Sequence, residues 1–380
     1  MAYVLNEDQQ MLKNTAAEFV KKQCPVSRLR ELRDGGNPLG YSPEMWLQMA
    51  ALGWPGIVIP EQYGGLGLGM MELSCVLEEF GRYLVPEPLL SASCLGAVPL
   101  VSGADEKRKD AWLPGLADGS LRVTCAYHER GSRYDAFTTA TRAERGADGW
   151  ELNGQKTLVL DGGGADGFIV SARTAGSTVD RDGITLFFVD ADTPGVEVTL
   201  QPTVDLRNRA LVTLRGVEVQ DSAMLGEQGE GAEVLEQALR WATLGLAAEM
   251  LGNAEGAFAM TLEYLQTRKQ FGVPIGSFQA LKHRCAQLFT EIELTRSAVL
   301  GACHALDTAA PYTDAWISVA KARASDTAVL AGYEGIQMHG GIGMTDEHDI
   351  GFYAKRARAS ELSLGDAAYH RQRFAELSGF

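Results

Sequence analysis

The chain has 380 residues, 46% of them apolar and 22% charged, an ordinary globular composition with length for two or three domains or one large fused body. Lys plus Arg number 34 against 49 Asp plus Glu, a formal net charge of −15, and the excess acid is spread along the chain with no basic tail, which argues against nucleic acid as a partner. No apolar run approaches the ~18–20 residues needed to span a bilayer, and the start MAYVLNEDQQM lacks the basic end and long apolar core of a signal peptide, so a cytoplasmic protein with no membrane partner is expected.

Residues 1–120 read as helices. Asn6 is placed to cap the first, with Gln9 at its third position, and Leu12, Ala16, Phe19 and Val20 share one face. Ser42-Pro43 marks another start and Gly53 a stop. Leu73, Val76, Leu77, Phe80 and Leu84 form a third apolar stripe. Lys107 to Leu116 reads as a short helix stopped by Pro114.

Residues 121–225 change to period two. The runs LRVTCAY, FTTATRA, GWELNG, KTLVLDG, GFIVSAR, ITLFFVD, VEVTLQP and ALVTLRGVEV are short, rich in β-branched and aromatic residues, and punctuated by Gly, Asp and Pro. Asp148-Gly149 suits a hairpin turn. With no helical pattern between them, these runs predict an antiparallel sandwich or barrel. From residue 226 the helical period returns over Gly231–Arg268, Phe278–Leu306, Tyr312–Met338 and Asp366–Ser378, which predicts a four-helix bundle. The expected fold is therefore α+β and multidomain, divided at 1–120, 121–225 and 226–380.

The six cysteines are scattered without a CxxC and the six histidines include no HxxxH pair. Reduced, mostly buried thiols and no metal site are expected. Three glycine clusters invite a nucleotide reading. Gly64-Gly65-Leu66-Gly67-Leu68-Gly69 has the wrong spacing and helical flanks for a dinucleotide fingerprint and reads as a structural loop. Gly162-Gly163-Gly164 reads as a turn. Gly340-Gly341-Ile342-Gly343 follows a helix, and its adjacent glycines permit close approach by a backbone or a phosphate.

The stretches RKQFGVPIGSFQALKH from Arg268 and QMHGGIGMTDEHD from Gln337, about 70 residues apart, resemble the acyl-CoA dehydrogenase family. WLPGLADG near Trp112, ELNGQKTLVLDG near Gly154 and GEGAEVLEQAL near Gly229 match it too, so the resemblance covers nearly the whole chain. Chemically, Arg268 is a permanent cation with a bidentate fork suited to a pyrophosphate, Phe271 offers an aromatic face, and Gln279 and Gln337 donate and accept without charge. The resemblance implies that Arg268, Phe271, Gln279, Gln337, Gly340 and Gly341 hold the ADP part of FAD bound in a neighbouring subunit, and hence an oligomer, with a tetramer expected. Lys282 and Arg284 are further cationic candidates beside them. It implies that the β region holds the isoalloxazine ring through Tyr127, His128 and Ser132, a shortened form of the family's first flavin stretch, and through Leu158, Val159 and Leu160, which stand where relatives have Trp-Ile-Thr. These departures resemble a diverged branch acting on coenzyme A thioesters of steroid side chains and other bulky acids.

The family reaction removes a proton next to the thioester carbonyl and a hydride from the following carbon, with electrons passed on to an electron-transfer flavoprotein. The base must lie within hydrogen-bond reach of the reacting carbon. By gapless reading the usual base position here is Leu364, within Ser363-Leu364-Gly365-Asp366, and the minority position on the long helix is Ala242. Both are apolar. Asp366, two residues on, is the candidate substitute, with an N-cap of the last helix as its alternative reading. Glu249 lies roughly 10 Å along a helix from Ala242, and Glu361 is expected to face solvent. The remaining explanation is a heteromer of α2β2 type in which this chain is the subunit without the Glu. A non-catalytic structural subunit without flavin, and a flavin oxidase or hydroxylase on the same fold, are the other readings.

Overall fold

A computed structural model describes residues 4–146 and 148–380. In chain order the helices α1 (Glu7–Gln23), α2 (Val26–Asp34), α3 (Pro43–Ala51), α4 (Met70–Arg82), α5 (Val98–Gly103) and α6 (Glu106–Ala117) precede the strands β1 (Val123–Ala126), β2 (Arg142–Arg145), β3 (Trp150–Leu160), β4 (Gly167–Arg173), β5 (Ile184–Asp190), β6 (Val196–Leu200), β7 (Arg209–Val219) and β8 (Met224–Leu225). Then follow α7 (Gly231–Thr267), the small hairpin β9 (Lys269–Gln270) and β10 (Val273–Pro274), α8 (Gln279–Asp307), α9 (Thr313–His339), α10 (Ile350–Glu361) and α11 (Ala367–Leu377). The helical, β, helical order is the one the periodicity predicts.

The local signals act as read. Asn6 caps α1 by accepting from the Gln9 backbone N–H at 2.8 Å, and the Gln9 side chain accepts from the Asn6 N–H at 2.9 Å. Ser42 caps α3, accepting from the Met45 N–H at 3.2 Å, and Gly53 follows in the left-handed region. Pro114 does not end α6, which runs on to Ala117. Proline removes the hydrogen bond to the carbonyl four residues back and crowds it, and that residue, Asp110, is exposed, so its carbonyl can tilt outward to water. The last third holds a further helix, α10, beyond the four seen in the periodicity.

The chain forms two compact units that interleave along the sequence. One comprises residues up to Gly35, Met70–Val85 and Thr243–Phe380; the other comprises Gly36–Gly69 and Pro86–Ala242. In the first, α4 and α7 meet backbone to backbone. A Cβ on Gly252 would lie 1.7 Å from the Glu78 carbonyl oxygen, one on Gly81 would lie 1.8 Å from that of Glu249, and one on Gly256 would lie 2.3 Å from that of Arg82. Glycine is required at this crossing because any side chain would force the helices apart.

Carboxylates and cations beside the crossing join four helices. Glu78 of α4 accepts from Lys13 of α1 at 2.7 Å and from Arg296 of α8 at 2.6 Å. Arg82 pairs with Glu79 at 2.9 Å, and both Arg82 and Arg296 pair with Glu255 of α7. Burial pushes the Glu78 carboxyl up, but Lys13 and Arg296 outweigh it and hold the group below its ordinary range.

The second unit is built on one eight-stranded sheet in the order β6-β7-β3-β2-β4-β5-β8, with β1 beside β4. Five of its pairings are antiparallel, while β1 and a single residue of β2 run parallel to β4. The runs GWELNG and KTLVLDG join into the one strand β3, whose register against β7 shifts at Leu152/Gly154 and Lys156/Val159. The β2–β3 hairpin closes through the Gly146 N–H on the Gly149 carbonyl at 2.9 Å. Alternate residues Leu152, Phe168, Val170, Phe187, Val189, Val212 and Leu214 point into one core. The loop Gly64–Gly69 is irregular, and a Cβ on Gly65 would lie 2.0 Å from the Ile59 carbonyl oxygen, so its glycine serves packing within the loop.

Replacing Gly252 by Ala should cost at least about 3 kcal/mol despite alanine's better helix propensity. Gly341→Ala, where an added Cβ meets nothing within 4 Å, should cost under about 1 kcal/mol. Urea midpoints of the two variants test the contrast.

Candidate functional site

Three groups of residues are the candidates for chemistry. The first surrounds the end of α7. Arg268 leaves the helix with its N–H on the Tyr264 carbonyl at 2.8 Å. Its side chain is exposed, with no carboxylate within salt-bridge distance among the described residues. Phe271 and Gly272 form the two-residue turn of the β9–β10 hairpin with φ of 53° and 81°, the left-handed pair that a type I′ turn needs. This strained turn presents Phe271 at 91% exposure, edge-on to Phe278 at 6.1 Å. Gln279, the first residue of α8, is exposed, as is Gln337 near the end of α9. Lys282 is exposed. Arg284 is not a free cation, because Glu334 binds it through two hydrogen bonds of 2.5 and 3.0 Å.

After α9 the chain turns through Gly340 at φ 66°. A Cβ on Gly340 or Gly341 would find open space, whereas one on Gly343 would meet the Ile336 carbonyl oxygen at 2.8 Å. The loop is therefore packed on one side and open on the other. His339 lies buried beneath it, 4.4 Å from the Tyr264 ring and 4.3 Å from the His348 ring. Its Nδ1 donates to the Gly335 carbonyl at 2.7 Å, which leaves Nε2 as a buried acceptor with no hydrogen-bond partner among the described residues. Open glycine backbone, an exposed arginine and a buried lone pair fit the pyrophosphate and adenine side of a dinucleotide.

The second group lies on the sheet of the other unit. The stretch Tyr127–Ser132 folds around Glu129, whose carboxylate accepts from the Ala140 and Thr141 N–H groups at 2.7 and 3.0 Å and from Lys156 Nζ at 2.6 Å. Lys156 is fully buried in β3 and also donates to Ser171 Oγ at 3.0 Å. Burial pushes Glu129 up and Lys156 down; the ion pair opposes both, leaving Glu129 below the usual carboxylate range and Lys156 below the usual amine range. Ser132 does not offer its hydroxyl outward, since Oγ donates to the Glu129 carbonyl at 2.9 Å and closes the turn. His128 donates through Nε2 to the Arg133 carbonyl at 2.9 Å, and Tyr127 is half-buried.

Two residues past Lys156, Leu158 has φ 52° and is 44% exposed. A bulky residue in the left-handed region stores strain, and here Gln201 holds it, accepting from the Leu158 N–H at 2.7 Å. The bulge turns Leu158 outward, while Val159 is buried and Leu160 half-buried.

The third group is the turn after α10. Leu364 has φ 57° and Gly365 φ 98°. Asp366 caps α11, accepting from the Tyr369 N–H at 2.8 Å, the alternative weighed for it in the sequence. Its neighbour His370 uses Nε2 on the Leu364 carbonyl at 2.8 Å. Lys321 of α9, fully buried, donates to the Gly365 carbonyl at 2.8 Å, the Glu361 carbonyl at 3.2 Å and Ser325 Oγ at 3.1 Å. Burial pushes the Lys321 ammonium down to about 7, against the pull of Glu361 and Asp366, and pushes His370 down to about 4, helped by Lys321. Glu361 does not face solvent freely, for its side chain is 18% exposed and pairs with Arg358. Ala242 and Glu249 are both buried on α7.

Sequence reading missed Lys321, His370, Glu129 and Lys156. For Lys321 a signal existed, since Ile317, Ala320, Ala324 and Ala328 place it on an apolar helix face where lysine is out of pattern.

Three sequence families match the chain: "Acyl-CoA dehydrogenase, N-terminal domain" over residues 6–120, "middle domain" over 124–215 and "C-terminal domain" over 229–378. The probable acyl-CoA dehydrogenase YngJ of Bacillus subtilis is 31% identical over 376 residues, covering 98% of each chain. A variant of the Tcur3481–Tcur3483 steroid ACAD is similar at 32% identity and a TM-score of 0.86, covering 98% of each chain. The ChsE4–ChsE5 complex of Mycobacterium tuberculosis is similar at 27% identity and a TM-score of 0.89 over the full length of both chains.

His370 is neutral in the fold, and its ordinary value near 6.5 returns on unfolding. The unfolded state thus binds the extra proton first, and stability present above pH 6.5 is lost as pH falls toward 4, by about 3 kcal/mol at most. In His370→Gln, which keeps a donor but does not titrate, that part of the acid slope should vanish from urea unfolding between pH 6.5 and 4.

Proposed function

We propose the following role for this chain, which belongs to the acyl-CoA dehydrogenase family: it serves FAD-dependent α,β-dehydrogenation of an acyl-CoA thioester as the subunit of an oligomer that lacks the catalytic Glu and completes the active site of a second, related chain. Bound FAD would supply the hydride acceptor. Arg268, Gln279, Gln337 and the open Gly340–Gly341 backbone would hold the pyrophosphate and adenine side of FAD bound in a neighbouring subunit. Phe271, rigid on its turn, would offer an aromatic face there. The Leu158 bulge, anchored through Lys156, Glu129 and Gln201, would orient the ring side, with backbone N–H groups of Val159 or Leu160 replacing a missing hydroxyl.

The observation that carries the heteromeric part is the pairing of the motifs that would serve a neighbour's FAD, around Arg268 and Gly340–Gly341, with apolar residues at both base positions. Leu364 and Ala242 cannot accept a proton, and Asp366 is held by its cap to Tyr369. A base must reach the carbon it deprotonates, so a complete site needs a carboxylate from elsewhere. The heteromeric ChsE4–ChsE5 complex and the steroid ACAD similar to this chain support this reading, and with it a bulky, steroid-type acyl group. Helical, β and helical segments divided near 120 and 225, a tetrameric assembly and an electron-transfer flavoprotein as electron acceptor complete the proposal. No helix among the described residues is long and apolar enough to cross a membrane, in keeping with a cytoplasmic site of action.

The chain purified alone should show little or no acyl-CoA oxidation, and co-expression with a related chain that carries the Glu should yield a yellow heteromer whose flavin bleaches with acyl-CoA. Native mass and flavin absorbance check this; full activity of the single chain would overturn the heteromeric reading. Arg268→Ala should weaken flavin retention by at least tenfold, read from fluorescence of released FAD, and Arg268→Lys should recover only part because it loses the bidentate fork.

A further inference from the structure

The turn after α10 is held far more tightly than an apolar side chain at Leu364 requires. Within five residues, three backbone carbonyls (Glu361, Leu364 and Gly365) accept hydrogen bonds from two buried side chains, Lys321 and His370. The two donors come from different helices, α9 and α11, and approach the same turn. Ser363 adds a fourth tie, its Oγ donating to the Ala359 carbonyl at 2.8 Å, and Asp366 a fifth through its cap. Leu364 and Gly365 both sit in the left-handed region, which for leucine is strained and persists only where the surroundings impose it. A buried ammonium is costly unless its donors are satisfied, and here all three reach acceptors.

We propose that Lys321 and His370 are positioning residues that fix the Glu361–Asp366 turn as a mount for the side chain at position 364, and that this mount survives in the chain although the carboxylate it would carry is replaced by Leu364. The inference rests on the proposed function for the assignment of position 364 to the thioester. Its physical content is separate: the direction of that side chain is set by backbone carbonyls tied to α9 and α11, and not by the side chain itself. Exchange at 364 should therefore leave the turn in place, whereas removal of either donor should let it relax toward ordinary backbone angles.

The test uses the flavin-loaded protein and installs a carboxylate by Leu364→Glu. In D2O the installed carboxylate would take the α-proton of a saturated acyl-CoA, exchange it with solvent and return a deuteron to the same carbon. Only one C–H bond breaks and one C–D bond forms, so no oxidant is needed, and mass spectrometry of the recovered thioester reads the step without turnover. We expect Leu364→Glu to exchange the α-proton well above the parent chain. Adding His370→Leu or Lys321→Met should lower the exchange rate at saturating thioester at least tenfold with thioester affinity within about twofold, and His370→Gln should restore most of it. If the His370→Leu double variant does not fold, His370→Asn, whose shorter amide cannot reach the Leu364 carbonyl, takes its place. Equal exchange with and without the two donors would overturn the positioning role and leave the functional reading standing. No exchange by Leu364→Glu, with flavin and thioester both bound, would overturn the assignment of position 364 and the mount with it.

Discussion

The close passage of α4 over α7 is the constraint on which the helical unit depends. Three glycines bring helix backbones into contact, and the distances admit no side chain there. Contact this close leaves no apolar layer between the helices at that point. Cohesion comes instead from the buried stripe of α4 and from the charges beside the crossing, where Glu78, Glu79 and Glu255 meet Lys13, Arg82 and Arg296. Such pairs contribute little net stability against a hydrophobic alternative but are costly to break singly. Their effect is to lock the register of α1, α4, α7 and α8. The ends of α7 and α9, with Arg268 and the Gly340–Gly341 loop, inherit their positions from that register.

The sheet unit uses the same device on a smaller scale. A single buried pair, Lys156 with Glu129, ties a shortened loop to β3 and sets the start of the bulge that exposes Leu158. The turn at Leu364 is held in turn by Lys321 and His370. In each place a buried cation or imidazole satisfies carbonyls or carboxylates that the backbone would otherwise leave unpaired, and strain at a leucine is the visible result. These are sites where tertiary contacts overrule local backbone preference.

Much of the fold was legible because its signals are local. The Asn6 and Ser42 caps, the α4 stripe and the switch to period two between residues 121 and 225 each depend on a few neighbouring residues. Pro114 and α10 were misjudged or missed because their outcome depends on solvent access to one carbonyl and on packing against α9. The exposure of Arg268 and the open backbone at Gly340 and Gly341 agree with the character read from the motif, since arginine is rarely buried unpaired and adjacent glycines leave backbone uncovered. Arg284 was not, because its neutralisation by Glu334 joins α8 to α9 across 50 residues.

By itself the sequence determined the order of helical and β segments, the family resemblance, and the absence of a carboxylate at both Leu364 and Ala242. Identity at a position needs no coordinates. Only the tertiary structure decided what those positions are attached to: that Asp366 is tied to Tyr369, that Ser132 closes its own turn, and that Lys321 and His370 reach the same five residues from two helices. These facts concern distances between residues remote in the chain, and hydrophobic periodicity carries no information about which buried donor meets which carbonyl.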